Sequence, residues 1–96
     1  MHIISLKPLR EFWSIHPDAE LPLRAWARVA EQAERESPAE VSQTYPYVSQ
    51  VGRFTVFNIG GGKYRLITVI HFNRGKLFVR AILTHADYDR GVWKDD

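Results

Sequence analysis

The chain has 96 residues, the length of one small domain, and its 45% apolar content, which includes five Phe, four Tyr and three Trp, excludes a disordered chain. The absence of cysteine excludes disulfides, thiolate zinc sites and cysteine nucleophiles. No apolar run approaches the roughly 18 residues of a membrane span, and MHIISLKPL lacks the pattern of a signal peptide, so we expect a cytoplasmic protein without a membrane partner.

The net charge of +2 is divided unevenly between the two halves of the chain. Residues 1–50 hold five Lys/Arg against seven Asp/Glu, and residues 51–96 hold eight against four. Clustered Lys and Arg attract polyanions such as RNA. An excess of four positive charges is also common on ordinary protein surfaces, so charge alone leaves both interpretations open.

The first half of the chain predicts a strand followed by two helices. Residues 2–5 form an apolar run of strand type, after which Ser5 can cap a helix that ends at His16-Pro17. A second helix should begin near Asp18 and end at Ser37-Pro38, because its apolar residues recur on one stripe and charged residues occupy the remainder. We expect both helices to lie on a sheet.

The second half predicts an antiparallel meander. Three strand patterns cover residues 53–59, 64–72 and 77–83, and they are separated by three glycines and by the loop 73–76. The glycines lack the pattern of a nucleotide-phosphate loop, so a hairpin turn is favoured there. The predicted fold is α+β: a short N-terminal strand, two helices on one face of a small antiparallel sheet, and a short C-terminal helix, in one domain over residues 1–96.

The pairing of these strands predicts which side chains share a face. If the loop 73–76 closes an even hairpin, residue 65 lies opposite 84, 67 opposite 82 and 69 opposite 80. This register places Arg65, Arg80 and Asn58 on the uncovered face, whereas the other register buries an unpaired guanidinium. The helix-covered face would then be mostly apolar: Leu66, Thr68, Ile70, Phe72, Leu77, Val79, Ala81 and Leu83, with Phe57 and Ile59 from the preceding strand.

A histidine stands where the last strand changes into the terminal helix. Thr84 and Asp87 approximate a capping box, which places His85 in the first helical turn, where free N–H groups and the helix dipole favour an anion. Arg65, Arg80 and Tyr88 can converge on the same edge. An imidazole beside cations suits cleavage of RNA through its own 2′-hydroxyl, with no metal and no cofactor, and DNA lacks that nucleophile.

Each of these residues also has a simpler interpretation. A single histidine at a helix start is commonly a surface residue, and arginines commonly extend over a sheet face. The other histidines show no paired ligand spacing, which makes a metal site improbable. Trp93, close to Arg90 and Lys94, either stacks on a base or anchors the last helix, and anchoring is favoured.

The segments VFNIGGGKYRLITVIHF, KLFVRAILTHADYD and MHIISLKPLREF together resemble the HigB family of bacterial type II toxins. The resemblance implies a RelE-like fold and an mRNA interferase that cleaves mRNA, usually on the ribosome. It also implies a cognate helix-turn-helix antitoxin of the HigA kind, with DNA contacted only through that antitoxin. Asp87 departs from the family pattern, in which Glu is common at this position.

The resemblance assigns candidate roles to individual residues. His85 is the proposed base or acid, and Arg65 and Arg80 are phosphate clamps. Tyr88 and Lys7 are proton donors or orienting groups. RNA contacts are expected from further polar and basic residues: Lys7, Asn58, Lys63, Arg90 and Lys94. The alternatives are a non-catalytic module that blocks translation by occupying RNA or the ribosome, and a copy that keeps only its antitoxin-binding role.

Overall fold

The structure is a computed structural model that describes residues 1–32, 39–41, 45 and 48–95. Its helices are α1 (Lys7–Ile15), α2 (Glu20–Gln32) and α3 (His85–Asp89). Its strands are β1 (His2–Ile4), β2 (Ser49–Val51), β3 (Phe54–Ile59), β4 (Tyr64–His71) and β5 (Lys76–Thr84). Short 3-10 turns cover Pro17–Ala19, Phe72–Arg74 and Val92–Asp95. No helix in the described ranges has the length and apolarity needed to cross a membrane.

One mixed sheet has the strand order β1-β5-β4-β3-β2. The strands from β2 to β5 pair antiparallel with their neighbours, whereas β1 pairs parallel with β5, His2 lying opposite Lys76. The α+β architecture is confirmed, with a parallel edge strand and the short β2 added to the predicted meander. The predicted end of the second helix at Ser37-Pro38 lies outside the described residues.

The main core lies between the two long helices and one face of the sheet. Leu9 from α1 and Leu23 from α2 are fully buried against Leu66 and Leu77 of the central strands. In α2 the buried side chains stand three and four residues apart, so one stripe of the helix faces the sheet. Burying each of these leucines contributes about 1.5–3 kcal/mol to folding.

Of the two predicted helix caps, one is confirmed and one is wrong. The Thr84 hydroxyl accepts a hydrogen bond from the Asp87 N–H at 3.2 Å and caps α3 as expected. Ser5 does not cap α1: the N-cap is Leu6, without a side-chain bond, and Ser5 itself has φ +70°. That left-handed residue turns the chain sharply between β1 and α1, which places Ser5 before the cap position.

The predicted register of β4 and β5 is wrong. Val69 pairs with Phe78 instead of residue 80, and a β-bulge between Ile67 and Thr68 makes Arg80 the additional residue of β5. Beyond the bulge Arg65 lies opposite Leu83. Apolar residues occupy both faces of β5, so alternation along the strand could not specify this register.

The bulge exchanges the faces of the last residues of β5. Ile82 packs against the helix-side core, whereas Ala81 and Leu83, predicted on that side, contact the opposite face. That face was expected to be uncovered, but a second cluster of Phe54, Val56, Ile67 and Trp93 is buried on it. The predictions that Phe57 and Ile59 enter the main core and that Asn58 shares a face with Arg65 are confirmed.

Candidate functional site

A glycine turn, residues 60–63, joins β3 to β4 and organises one edge of the sheet. Gly60, Gly61 and Gly62 have φ of +63°, +68° and +95°, a backbone region that favours glycine. The Gly62 carbonyl accepts a hydrogen bond from Arg65 Nη1 at 2.6 Å, and the Lys63 carbonyl accepts one from the backbone N–H of His85 at 3.1 Å. The same turn therefore holds the predicted cation and the start of the predicted catalytic helix.

Arg65 is half-buried and oriented by several contacts. Nη1 also donates to the Tyr64 carbonyl at 3.4 Å, and the guanidinium carbon lies 5.5 Å from the centre of the Tyr88 ring. That ring stacks on Trp93 at 5.0 Å, and Trp93 Nε1 donates to the Tyr88 carbonyl at 3.0 Å. A guanidinium has five N–H donors, so Arg65 keeps donors for an anion while it is held by the turn.

His85 faces a carboxylate that the sequence analysis did not select. Nδ1 of His85 lies 2.9 Å from Oδ2 of Asp89, and the two side chains are 54% and 59% exposed. Residues i, i+3 and i+4 share one side of a helix, so His85, Tyr88 and Asp89 line the same side of α3. The i, i+4 spacing in THADYD is the signal that identifies Asp89 from sequence.

Trp93 confirms the anchoring interpretation of the C-terminal segment. Its side chain is only 8% exposed, and its ring meets the Phe54 ring edge-on at 5.7 Å. The stack on Tyr88 and the bond to the Tyr88 carbonyl tie the residues after α3 to the sheet. Through Trp93, the Phe54 and Tyr88 rings therefore hold α3 against the sheet.

Arg80 and Asn58 take different positions relative to this edge. Asn58 is exposed and pairs with Arg65 in the ladder, so the two side chains stand on one face about 5 Å apart at Cβ. Arg80 is exposed at the bulge, four residues before Thr84, which is about 13 Å along a strand. The structure thus brings Arg65, Tyr88, His85 and Asn58 to one edge and places Arg80 further along β5.

Asp18 holds the glycine turn from the helix layer. Its Oδ2 lies 2.7 Å from Lys63 Nζ, and its Oδ1 accepts a hydrogen bond from the Tyr64 hydroxyl at 2.6 Å. These bonds lower the pKa of Asp18, the Lys63 bond having the larger effect, and they raise the pKa of both Lys63 and Tyr64. Forty-five residues separate Asp18 from Lys63, so no local pattern could identify this contact.

A family model for the RelE-like toxic component of a toxin-antitoxin system, HigB toxin, matches residues 19–91 of the chain. The chain belongs to the HigB toxin family. The mRNA interferase HigB of Escherichia coli O6:H1 is 31% identical over 93 residues, which is 94% of this chain and 90% of that protein. The mRNA interferase toxin HigB of Escherichia coli K12 and the mRNA interferase HigB of Shigella flexneri are each 25% identical over 92 residues, covering 93% of this chain and 88% of each relative.

The family match confirms the resemblance that the sequence motifs indicate. The segment matched to HigB toxins contains the glycine turn, the bulged strand and α3, and therefore all four predicted catalytic residues. As a HigB-family member, the chain is the toxic component of a toxin-antitoxin system. A cognate antitoxin and an RNA target follow from that assignment.

The remaining predicted RNA contacts of this HigB-family chain differ in their surroundings. Lys63 pairs with Asp18. Nη1 of Arg90 lies 3.7 Å from Oδ1 of Asp87, and Nζ of Lys94 lies 5.8 Å from the centre of the Trp93 ring. Lys7 is exposed at the first residue of α1. Among the residues described, no group of three or more His, Asp or Glu side chains is arranged to hold a metal ion.

Proposed function

We propose that this HigB-family chain is a metal-independent endoribonuclease, an mRNA interferase that cleaves mRNA through the RNA's own 2′-hydroxyl. One observation supports this proposal above the others: the glycine turn accepts hydrogen bonds from both the Arg65 side chain and the His85 backbone. The turn therefore attaches the Arg65 guanidinium and the backbone of His85 to the same edge of the sheet. The names of the relatives, mRNA interferases, support mRNA as the substrate.

The proposed reaction begins with proton transfer to His85. Because Nδ1 faces Asp89, Nε2 is the nitrogen that takes the proton from the 2′-hydroxyl, and the carboxylate stabilises the imidazolium that forms. The 2′ oxygen bonds to the adjacent phosphorus, and the bond from phosphorus to the 5′ oxygen breaks. The 5′ oxygen takes a proton, for which Tyr88 is the proposed donor. The products are a 2′,3′-cyclic phosphate and a 5′-hydroxyl end.

Arg65 is the proposed stabiliser of the charge that develops on phosphorus. Donors fixed before the reaction stabilise a transition state without reorganisation, and the bond to the Gly62 carbonyl fixes this guanidinium. Arg80, on the bulge, is the proposed clamp for a neighbouring phosphate. Asn58, Lys63, Lys7, Arg90 and Lys94 are proposed to contact the RNA on either side of the cleaved bond.

The proposed setting is the cytoplasm, with mRNA bound on the ribosome. The proposed partner is a helix-turn-helix antitoxin of the HigA kind, and DNA is contacted only through that antitoxin. A short neighbouring reading frame for such a protein is the first check of this assignment. Overexpression in a bacterial host then separates an active toxin, which arrests growth, from a copy that only binds its antitoxin.

The test compares His85→Ala with His71→Ala, a control that removes an exposed histidine at the end of β4. General acid-base catalysis contributes about 10²- to 10⁴-fold, so His85→Ala should lose cleavage to that extent while ribosome binding persists. His71→Ala should cleave normally. Fragments from the wild-type protein should carry 5′-hydroxyl ends, and a 2′-deoxy nucleotide at the cut position should block cleavage.

The alternative is a module that blocks translation by occupying RNA or the ribosome. It predicts that His85→Ala remains fully toxic and that no new 5′ ends appear in cellular mRNA. Undiminished toxicity of His85→Ala, or cleavage of the 2′-deoxy substrate, would overturn the proposed mechanism.

A further inference from the structure

We propose that Asp18 is a positioning residue of the nuclease site: through Lys63 and Tyr64 it holds the glycine turn in the conformation that fixes Arg65 and His85. The catalytic consequence rests on the proposed endoribonuclease function. The contact itself is independent of that function. Among the described residues, the Asp18 carboxylate bonds to Lys63 and Tyr64 and not to Arg65 or His85.

The two carboxylate oxygens of Asp18 are divided between adjacent residues. Oδ2 pairs with Lys63 Nζ at 2.7 Å, and Oδ1 accepts from the Tyr64 hydroxyl at 2.6 Å. Lys63 is the last residue of the turn and Tyr64 the first of β4. The carboxylate therefore attaches the end of the turn to the helix layer at two points.

Asp18 itself is held on the helix layer. It lies in the 3-10 turn Pro17–Ala19, next to Ala19, which is fully buried. The Tyr64 ring meets the Phe12 ring edge-on at 5.1 Å, so the phenol that Asp18 accepts from is also fixed by packing. Asp18 is therefore attached to the helix layer beside a fully buried residue.

The glycine turn needs such an anchor because its sequence provides little stiffness. Three consecutive glycines have many backbone conformations available, and fixing each one costs more entropy than fixing other residues. Two carbonyls of this turn must point correctly, that of Gly62 toward Arg65 and that of Lys63 toward the His85 N–H. Releasing Lys63 and Tyr64 from Asp18 leaves both orientations less restricted.

This arrangement also assigns a different role to Lys63. In the sequence analysis Lys63 is an RNA contact, but its ammonium is engaged by Asp18 at one point of the turn. We infer that Lys63, besides its proposed RNA contact, influences cleavage through the position of the turn. Lys63→Ala should therefore change the His85 amide exchange rate and kcat in the same direction as Asp18→Ala.

The first experiment measures amide hydrogen exchange of His85 by NMR in Asp18→Ala and Asp18→Asn, with Glu20→Ala as the control. Glu20 is two residues away and pairs only with Arg24 among the contacts described here, so it tests loss of a nearby surface carboxylate. We expect the His85 amide to exchange roughly tenfold faster in Asp18→Ala, as for loss of a supported hydrogen bond. An unchanged rate at His85, or equal acceleration throughout α1 and α2, would overturn the proposal.

The second experiment is a double-mutant cycle on RNA cleavage. Misplacing catalytic groups by about 1 Å can cost 100-fold, so Asp18→Ala should lower kcat by roughly 10- to 100-fold with a smaller change in KM. Because Asp18 acts partly through Arg65, the variant Asp18→Ala/Arg65→Ala should lose less activity than the two single losses combined. Full additivity of the two losses would contradict a positioning role.

The two experiments separate failure of this proposal from failure of the nuclease assignment. If the wild-type chain does not cleave RNA on or off the ribosome, the proposed function fails, while the exchange rate at His85 still decides the role of Asp18. If RNA is cleaved and Asp18→Ala matches Glu20→Ala in both measurements, only the positioning role fails.

Discussion

The two faces of the sheet carry buried clusters of different size: among the described residues, twelve are buried on the helix side and four on the opposite side. On the helix side, Leu9 and Leu23 pack on Leu66 and Leu77, and none of the four is more than 1% exposed. On the opposite side, one of the four buried residues in the described part of the chain, Trp93, comes from the segment after α3. The proposed site lies beside this second cluster, where β4 begins and β5 ends.

The larger core on the helix side provides most of the stability, whereas the proposed active site lies beside the smaller core. A helix that is held by a small core and a terminal segment opens at a lower free energy than a helix packed on the main core. α3 has five residues and one capped end, so its position depends on Trp93, on Tyr88 and on the bond to the Lys63 carbonyl. Each prediction below perturbs one side of this comparison.

The largest effect is expected on the helix side. Leu23→Ala removes a side chain with no exposure and leaves a cavity between α2 and the sheet, which should lower the free energy of unfolding by about 3–5 kcal/mol. Urea denaturation followed by circular dichroism measures the change. Leu21→Ala is the control, because Leu21 is 78% exposed on the same helix. Equal losses in the two variants would contradict the assignment of the main core.

A smaller effect is expected on the opposite side. Trp93→Ala removes a buried ring that stacks on Tyr88, but the terminal segment can detach without leaving an enclosed cavity, so we expect about 2–3 kcal/mol, less than is usual for a buried Trp. Hydrogen exchange should accelerate in α3 before it does in α1 and α2. If α3 and the main core unfold at the same denaturant concentration, the prediction that α3 opens first is wrong.

A still smaller effect is expected at the cap of α3. Thr84→Ala removes the acceptor of the Asp87 N–H and should cost about 1 kcal/mol, confined to the terminal helix. Thr84→Ser keeps the hydroxyl and should restore most of the stability. The amide exchange rate of Asp87 reports the change directly, and an unchanged rate in Thr84→Ala would show that the cap is dispensable.

The smallest effect is the pH dependence of the Asp18 contact. The pKa of Asp18 is lowered, so its stabilising contribution is present above the ordinary value of 3.8 and is lost as the pH falls through the lowered value. The pKa values of Tyr64 and Lys63 are raised, so their contributions are present below 10.0 and 10.5 and are lost as the pH rises through the raised values. The difference in stability between wild type and Asp18→Asn should therefore be constant between about pH 4 and 10 and shrink outside that range. A difference that persists undiminished in acid would show that the carboxylate charge is not involved.

The parts of the proposed site that depend on local sequence patterns could be predicted from the sequence. The Thr84 cap places His85 in the first turn of α3, and the three glycines predict the hairpin turn. Asp89 was missed although its spacing from His85 is local. Asp18 was missed because its contact depends on how the helix layer meets the start of β4, which spacing along the chain does not encode.

The sequence by itself determined the element types, the face that α1 and α2 bury, and membership of the HigB toxin family, because periodicity and motifs are local properties. Only the tertiary structure decided the register beyond Arg80, the parallel pairing of β1, and the aromatic support of α3 by Trp93. The physical reason is that β5 is apolar on both faces. The register of β5 therefore depends on its contacts with β4 and β1, which join residues that are distant in the chain.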